Sequence, residues 1–300
     1  MRDDKPSRTA IDLAWYLAYN TRDPELRPLY PAGAGESTLA LLRHAIPTFD
    51  RDHARWESRG ARWRIALMER WGMPGMALYH IVRKRYVDDE VARAVRRGAR
   101  QLVVLGAGLD TLALRVAGRH PAVTCIEIDH PATQSLKRRG VEGLGAPANL
   151  RLLPADLATV SLREVLGRCE GFDADAPTVF VAEGLLMYLP PGEVRALFDF
   201  VRRNSDRSSR FVFSYIRAKE NGVPYIGRLD ALARLKLKHI GEPFRWGIPL
   251  NRLAGFVRDC GLELIDAPAP ADLRQRYLVP EGLAGRKMAA FEFLAVAELR

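Results

Sequence analysis

The stretch Leu102-Val103-Val104-Leu105-Gly106-Ala107-Gly108-Leu109-Asp110-Thr111-Leu112-Ala113-Leu114 constrains the fold of this chain more than any other. Its four apolar residues predict a buried strand. Two glycines then make a turn that lets backbone approach a ligand, and a helical pattern begins at once. The next strand-like run, from Val123 to Asp129, ends in an acid about 20 residues past the second glycine, where a doubly wound sheet places a carboxylate on a ribose. Short glycine patterns often only tighten a strand-to-helix connection, so the acid at the second strand end is what turns this one toward an adenosine cofactor. A dinucleotide fingerprint calls for a third small residue, ideally glycine, where this chain has β-branched Thr111. That counts against a pyrophosphate-containing cofactor.

From Gln101 onward, strand and helix patterns alternate, which predicts an α/β fold: a doubly wound, mostly parallel sheet with helices on both faces. Strands are expected over 101–105, 122–128, 149–153, 177–182 and 211–215. A sixth falls at Leu262-Glu263-Leu264-Ile265, and a last one, from Ala289 to Ala297, is placed to pair with the sixth. Pro131 and Pro191 occupy favoured first positions of helices. About 100 mostly helical residues precede the sheet. Ser7 and Thr9 are candidate caps for a helix with Ile11, Ala14, Trp15 and Ala18 on one face, and Leu39, Leu42 and Ile46 mark a second. Trp56, Trp63, Leu67 and Trp71 punctuate a third, arginine-rich segment. Another runs to Tyr86, after which Asp88 or Asp89 can cap a helix through Val91 and Val95. The expected organisation is a helical cap over 1–98 and a sheet domain over 99–300. An insertion at about 217–249, with a basic helix around Arg228 to His239, lies over the strand ends as a lid.

A hydrophobic content of 48% suits a chain with a sizeable core. The charged start and the lack of any run near the roughly 18 apolar residues of a spanning helix lead to the expectation of a cytoplasmic protein with no membrane partner. Cys125, Cys169 and Cys260 are odd in number and far apart, so neither a disulfide framework nor a metal site is expected. The net charge of +10 would suit nucleic acid or acidic small molecules, but arginines spread over many helices are explained by a solvated surface.

Acids end three successive strands: Asp129, Asp156 in Pro154-Ala155-Asp156-Leu157, and Glu183 in Ala182-Glu183-Gly184-Leu185-Leu186-Met187-Tyr188. Strand ends are where open α/β sheets bind ligands. A dinucleotide brings its own negative phosphates. S-adenosylmethionine instead brings a cationic sulfonium, an adenine amino donor and ribose hydroxyls, all suited to acidic acceptors.

Leu105-Gly106-Ala107-Gly108-Leu109-Asp110-Thr111, Glu127-Ile128-Asp129-His130-Pro131, Ala155-Asp156-Leu157 and Ala182-Glu183-Gly184, with Arg83-Lys84-Arg85-Tyr86-Val87-Asp88-Asp89 upstream, together resemble the leucine carboxyl methyltransferase family. The resemblance runs from Ser7-Arg8-Thr9-Ala10 to the last strand. It implies a class I methyltransferase (Rossmann-like) fold and S-adenosyl-L-methionine as cofactor. It also implies roles. Arg83, with Arg85 as fallback, holds the methionyl carboxylate, and Gly106, Ala107 and Gly108 pass under the methionyl part. Asp129 takes the ribose, Asp156 and the backbone of Leu157 take the adenine, and Glu183 lies near the ammonium. Asp110 reads as a helix N-terminal acid. Arg8 falls where the family has a basic residue near the cofactor, although its spacing to Asp23-Pro24 differs. Tyr188 and Arg217 are candidate substrate contacts.

These features predict an S-adenosylmethionine-dependent O-methyltransferase acting on a small acidic acceptor, a carboxylate or phenol such as a polyketide or other secondary metabolite. A carboxylate needs no base, and among His80, His130 and His239 none is an unmistakable one, His130 reading as a helix-start residue. Two alternatives are a nucleic-acid methyltransferase, for which the fourth strand end lacks an Asp/Asn-Pro-Pro-aromatic turn, and a nicotinamide-dependent oxidoreductase, disfavoured by Thr111 and the clustered acids.

Overall fold

A computed structural model of the protein describes residues 5–67, 69–70, 74–220, 222–225 and 243–299. Its seven strands are β1 (Gln101–Leu105), β2 (Thr124–Asp129), β3 (Leu150–Pro154), β4 (Thr178–Ala182), β5 (Arg210–Ile216), β6 (Leu262–Asp266) and β7 (Glu292–Leu299). They form one sheet in the order β3-β2-β1-β4-β5-β7-β6. The first five run parallel, while β7 is antiparallel to both β5 and β6. Strand order reverses between β1 and β4, so their C-terminal ends frame the crevice that such sheets use for ligands. The last strand starts at Glu292 rather than Ala289, because the Ala289 N–H is already committed to the carbonyl of Gly75 at 3.0 Å.

Helices α1 (Arg8–Asn20), α2 (Ala34–Ala45), α3 (Phe49–Glu57), α4 (Arg59–Leu67) and α5 (Met76–Arg96) precede the sheet. Between its strands come α6 (Leu112–Arg119), α7 (Pro131–Gly143), α8 (Leu162–Gly167), α9 (Pro191–Arg203) and α10 (Leu253–Asp259). Ser7 caps α1, its Oγ accepting from the Ala10 N–H at 3.1 Å. The arginine-rich segment read as one helix is two. Ser58 has extended backbone, donates to the Arg55 carbonyl and accepts from the Ala61 N–H, closing α3 and opening α4 with a single hydroxyl. Trp71 lies outside the described residues. Asp88 and Asp89 cap nothing: they sit inside the unbroken α5, Asp88 bound to Arg115 at 2.6 Å and Asp89 to Arg85 at 3.1 Å.

Alternate residues of β1 serve two cores. Leu102 and Val104 face a cluster that includes Leu41, Leu42, Ile81 and Val82, so the helices before the sheet share one hydrophobic core with it. Val103 and Leu105 face Ile126, Phe180, Leu197 and Phe198. There Phe198 meets Phe211 and Phe213 edge-on at 4.9 and 5.1 Å.

One charged pair is enclosed in this apolar sandwich. Glu127 of β2 and Lys137 of α7 lie 2.5 Å apart, with side chains 1% and 0% exposed, in contact without an aligned hydrogen bond. Burial pushes the Glu127 carboxyl up to about 7 despite the neighbouring ammonium. The folded state therefore holds that proton more tightly than the unfolded chain does, and the carboxyl reduces stability as pH rises from 4.5 through about 7. Replacing Lys137 with Met strands the carboxylate. We expect a loss of about 3–5 kcal/mol by urea unfolding at pH 8, shrinking toward pH 5 as Glu127 takes up its proton.

Candidate active site

The cradle begins where β1 ends. Gly106 and Gly108 have φ of +65° and +53°, backbone that a side chain would strain. A Cβ on Gly106 would stand 2.9 Å from Leu185 Cδ1, and one on Gly108 would stand 3.3 Å from the Cβ of Ala10. The turn is thus enclosed between the loop after β4 and helix α1. Ala107 between the glycines is buried.

Asp129, at the end of β2, is fixed by backbone. Its Oδ2 accepts from the Gly108 N–H at 2.6 Å and its Oδ1 from the His130 N–H at 2.7 Å. Burial raises this carboxyl while the two amides oppose the rise. Each oxygen keeps a second lone pair. The neighbouring strand end is tied in through the Ala155 N–H, which donates to the Asp129 carbonyl at 2.8 Å. Half-buried Asp156 accepts from the Ala158 N–H at 3.0 Å, and Leu157 beside it is buried.

The third acid is held differently. Glu183, one residue past β4, accepts from Arg83 Nε at 2.7 Å and pairs with Lys84 at 3.0 Å, its side chain only 7% exposed. Arg83 also pairs with Glu292, and Lys84 with Asp110, so a chain of alternating charge runs Glu292, Arg83, Glu183, Lys84, Asp110. Burial alone would discharge Arg83, but Glu292 and Glu183 outweigh it and raise the guanidinium further. Burial would likewise raise Asp110, yet Lys84 and Arg115 hold it well below the usual carboxylate range. Asp110 also accepts from the Leu112 N–H at 2.8 Å, as a helix N-terminal acid should. Glu292 escaped the sequence reading. The one available signal was a lone acid between Phe291 and Phe293 at the start of an otherwise apolar run.

Other sequence-read positions are dispersed. Arg85, two positions past Arg83, points from another side of α5 toward Asp89. Arg8 is 77% exposed and paired with Asp12 on its own helix. His130 Nδ1 accepts from the Ala132 N–H at 3.4 Å and caps α7. His80, one turn before Arg83 and Lys84, lies 6.0 Å edge-on from the Tyr16 ring, and burial with those two cations holds it well below 6.5. Tyr188 stacks edge-on with Phe244 at 5.3 Å, in a turn pinned by the Arg245 and Trp246 N–H groups donating to the Met187 carbonyl. Arg217 is exposed, its guanidinium 5.7 Å from the Tyr225 ring and its backbone bridged to Ile248. Arg228 and His239 lie outside the described residues. Among the described residues no group of three or more His, Cys, Asp or Glu is placed to hold a metal.

The family profile of leucine carboxyl methyltransferase matches residues 21–202. A Mycobacterium bovis protein provisionally named as an S-adenosyl-L-methionine-dependent methyltransferase is 40% identical over 240 residues, covering 72% of this chain and 73% of its own length. A Mycolicibacterium gilvum protein of the same provisional name is 39% identical over 166 residues, 55% of this chain and 50% of that one. Among solved structures, a provisionally named methyltransferase from Thermobifida fusca superimposes with a TM-score of 0.56 at 17% identity, over 92% of this chain and 98% of that one, and shows the shared fold. Sheet order, family profile and relatives together define a class I, S-adenosylmethionine-dependent methyltransferase. The chain belongs to the leucine carboxyl methyltransferase family.

Replacing Arg83 with Met would leave Glu292 without its cation and Glu183 with Lys84 alone. Thermal and urea unfolding should show a loss of about 3–5 kcal/mol, several times that of removing an exposed arginine such as Arg8.

Proposed function

We propose that this methyltransferase moves the methyl group of S-adenosylmethionine to an oxygen of a small acidic acceptor, a carboxylate or an acidic phenol. When bound, the cofactor supplies an electrophilic methyl group on a cationic sulfur. The observation that carries the reading is the glycine turn closed onto Asp129: two left-handed glycines bring backbone close, and a carboxylate locked by two amides keeps one lone pair per oxygen for the two ribose hydroxyls. Asp156 with the Leu157 N–H suits the adenine edge. Arg83 spends Nε on Glu183 and a proton of Nη1 on Glu292, and its remaining N–H groups suit the methionyl carboxylate. Glu183 then faces the ammonium. Lys84, Arg83 and their three acids leave one net negative charge, which favours a cationic ligand.

Residues 1–98 and the insertion at about 217–249 would close the acceptor pocket, with Tyr188 and Arg217 at its wall. An ionised carboxylate reacts once aligned and desolvated. A phenol needs a proton acceptor, and His80, held well below 6.5 by burial and by Arg83 and Lys84, is too weak a base for that task, which favours the carboxylate.

Calorimetry should find binding of S-adenosylhomocysteine and not of NAD, and tighter binding of NAD would overturn the cofactor assignment. Asp129→Ala removes charge-assisted bonds worth about 1.5–3 kcal/mol each, and should weaken S-adenosylhomocysteine binding by at least about tenfold in a chain that still unfolds cooperatively. A transfer screen with methyl-labelled cofactor against carboxylic acids, phenols, amines and RNA should put label on oxygen of acidic small molecules. Label only on nitrogen or only on RNA would refute the acceptor class and leave the cofactor reading standing.

A further inference from the structure

A cleft of about 520 Å³ opens between the turn Arg27–Leu29, α5 and the end of α6, on a different side of α5 from Arg83. That volume is within the roughly 300–1,000 Å³ of small-ligand sites. Arg27, Arg85 and Arg119 reach it from three separate elements, together with Asp88 and Asp89. Both acids are already committed. Asp88 is bound at 2.6 Å to Arg115, whose side chain is 6% exposed, and Asp89 is bound to Arg85.

Three guanidinium groups and two carboxylates line the cleft, and with Asp88 bound to Arg115 and Asp89 to Arg85, the charges of Arg27 and Arg119 are the ones left over. Arg27 pairs with Glu36 at 4.0 Å, both side chains 72% exposed, a pairing worth little. Arg119 donates to the carbonyl of Ala32, a neutral acceptor that orients the guanidinium without cancelling its charge. Arg115 Nε is buried with no hydrogen-bond acceptor among the described residues, and Arg115 also faces Asp110, so it is balanced without the cleft. Beside these groups, Pro28, Pro31 and Ala32 add apolar lining.

We propose that this cleft is a second ligand site, for a small organic phosphate or pyrophosphate. Guanidinium forks match phosphoryl oxygens two bonds at a time, and converging arginines from different elements suit a doubly charged group better than a single carboxylate. The apolar lining takes the organic body. S-adenosylmethionine carries no phosphate, so the site does not duplicate the cradle at the strand ends.

Calorimetry of the whole chain with inorganic pyrophosphate, inorganic phosphate and phenyl phosphate tests this. Pyrophosphate should bind one per chain, and phenyl phosphate more tightly than inorganic phosphate. The double variant Arg27→Ala/Arg119→Ala should weaken pyrophosphate by at least about tenfold while S-adenosylhomocysteine binding stays within about twofold of the parent. Arg27→Glu, at an exposed position, provides a charge reversal that leaves the Arg119 to Ala32 bond in place, and should weaken pyrophosphate as well. No binding of pyrophosphate, undiminished binding in the double variant, or displacement of pyrophosphate by S-adenosylhomocysteine would each overturn the site. Phenyl phosphate binding no tighter than phosphate would overturn the organic part of the ligand.

Discussion

The alternating row of Glu292, Arg83, Glu183, Lys84 and Asp110 joins pieces of chain that lie far apart in the sequence. It gathers the middle of α5, the turn after β1, the end of β4 and the start of β7. Arg83, Glu183 and Glu292 are deeply enclosed, and are tolerable only because their neighbours have the opposite sign. Removing any inner member leaves an ion in a low-dielectric setting, so the row sets the relative positions of helix and strand ends with little freedom. The geometry of these helix and strand ends is therefore set by the chain's own charges.

Apolar packing makes the same connection over a larger area. Because Leu102 and Val104 share a cluster with Leu41, Leu42, Ile81 and Val82, the helices before the sheet cover one of its faces as structural members. Ala10 against Gly108, and the Ser7 N–H donating to Thr133 at 3.0 Å, bring the start of α1 over the glycine turn and onto α7. The first helix thus forms part of the cradle wall.

Much of this was legible in the residues because strands buried on both faces read as short apolar runs between turn signals, and β1 fell on its expected positions. The strand-end acids could be found for the same reason. Charge pairing was the hidden part. Nothing in Phe291-Glu292-Phe293 names Arg83 as a partner, since the two are far apart in the chain, and Asp88 and Asp89 looked like caps only while Arg115 and Arg85 were unplaced. Ser58 is a similar case: one hydroxyl serving two helix ends looks, in sequence, like an ordinary polar residue within an arginine-rich helix.

Helix α5 is a continuous run from Met76 to Arg96, about 31 Å long at 1.5 Å per residue. It is riveted along that length: to Glu69 through the Ala77 N–H, to Glu183 and Glu292 at Arg83, to Arg115 at Asp88, and to Arg210 at Glu90. A rod fastened at four stations has no small sliding motion available to it. The helix therefore holds Arg83 in fixed register with the ends of β4 and β7, like a beam pinned between two posts.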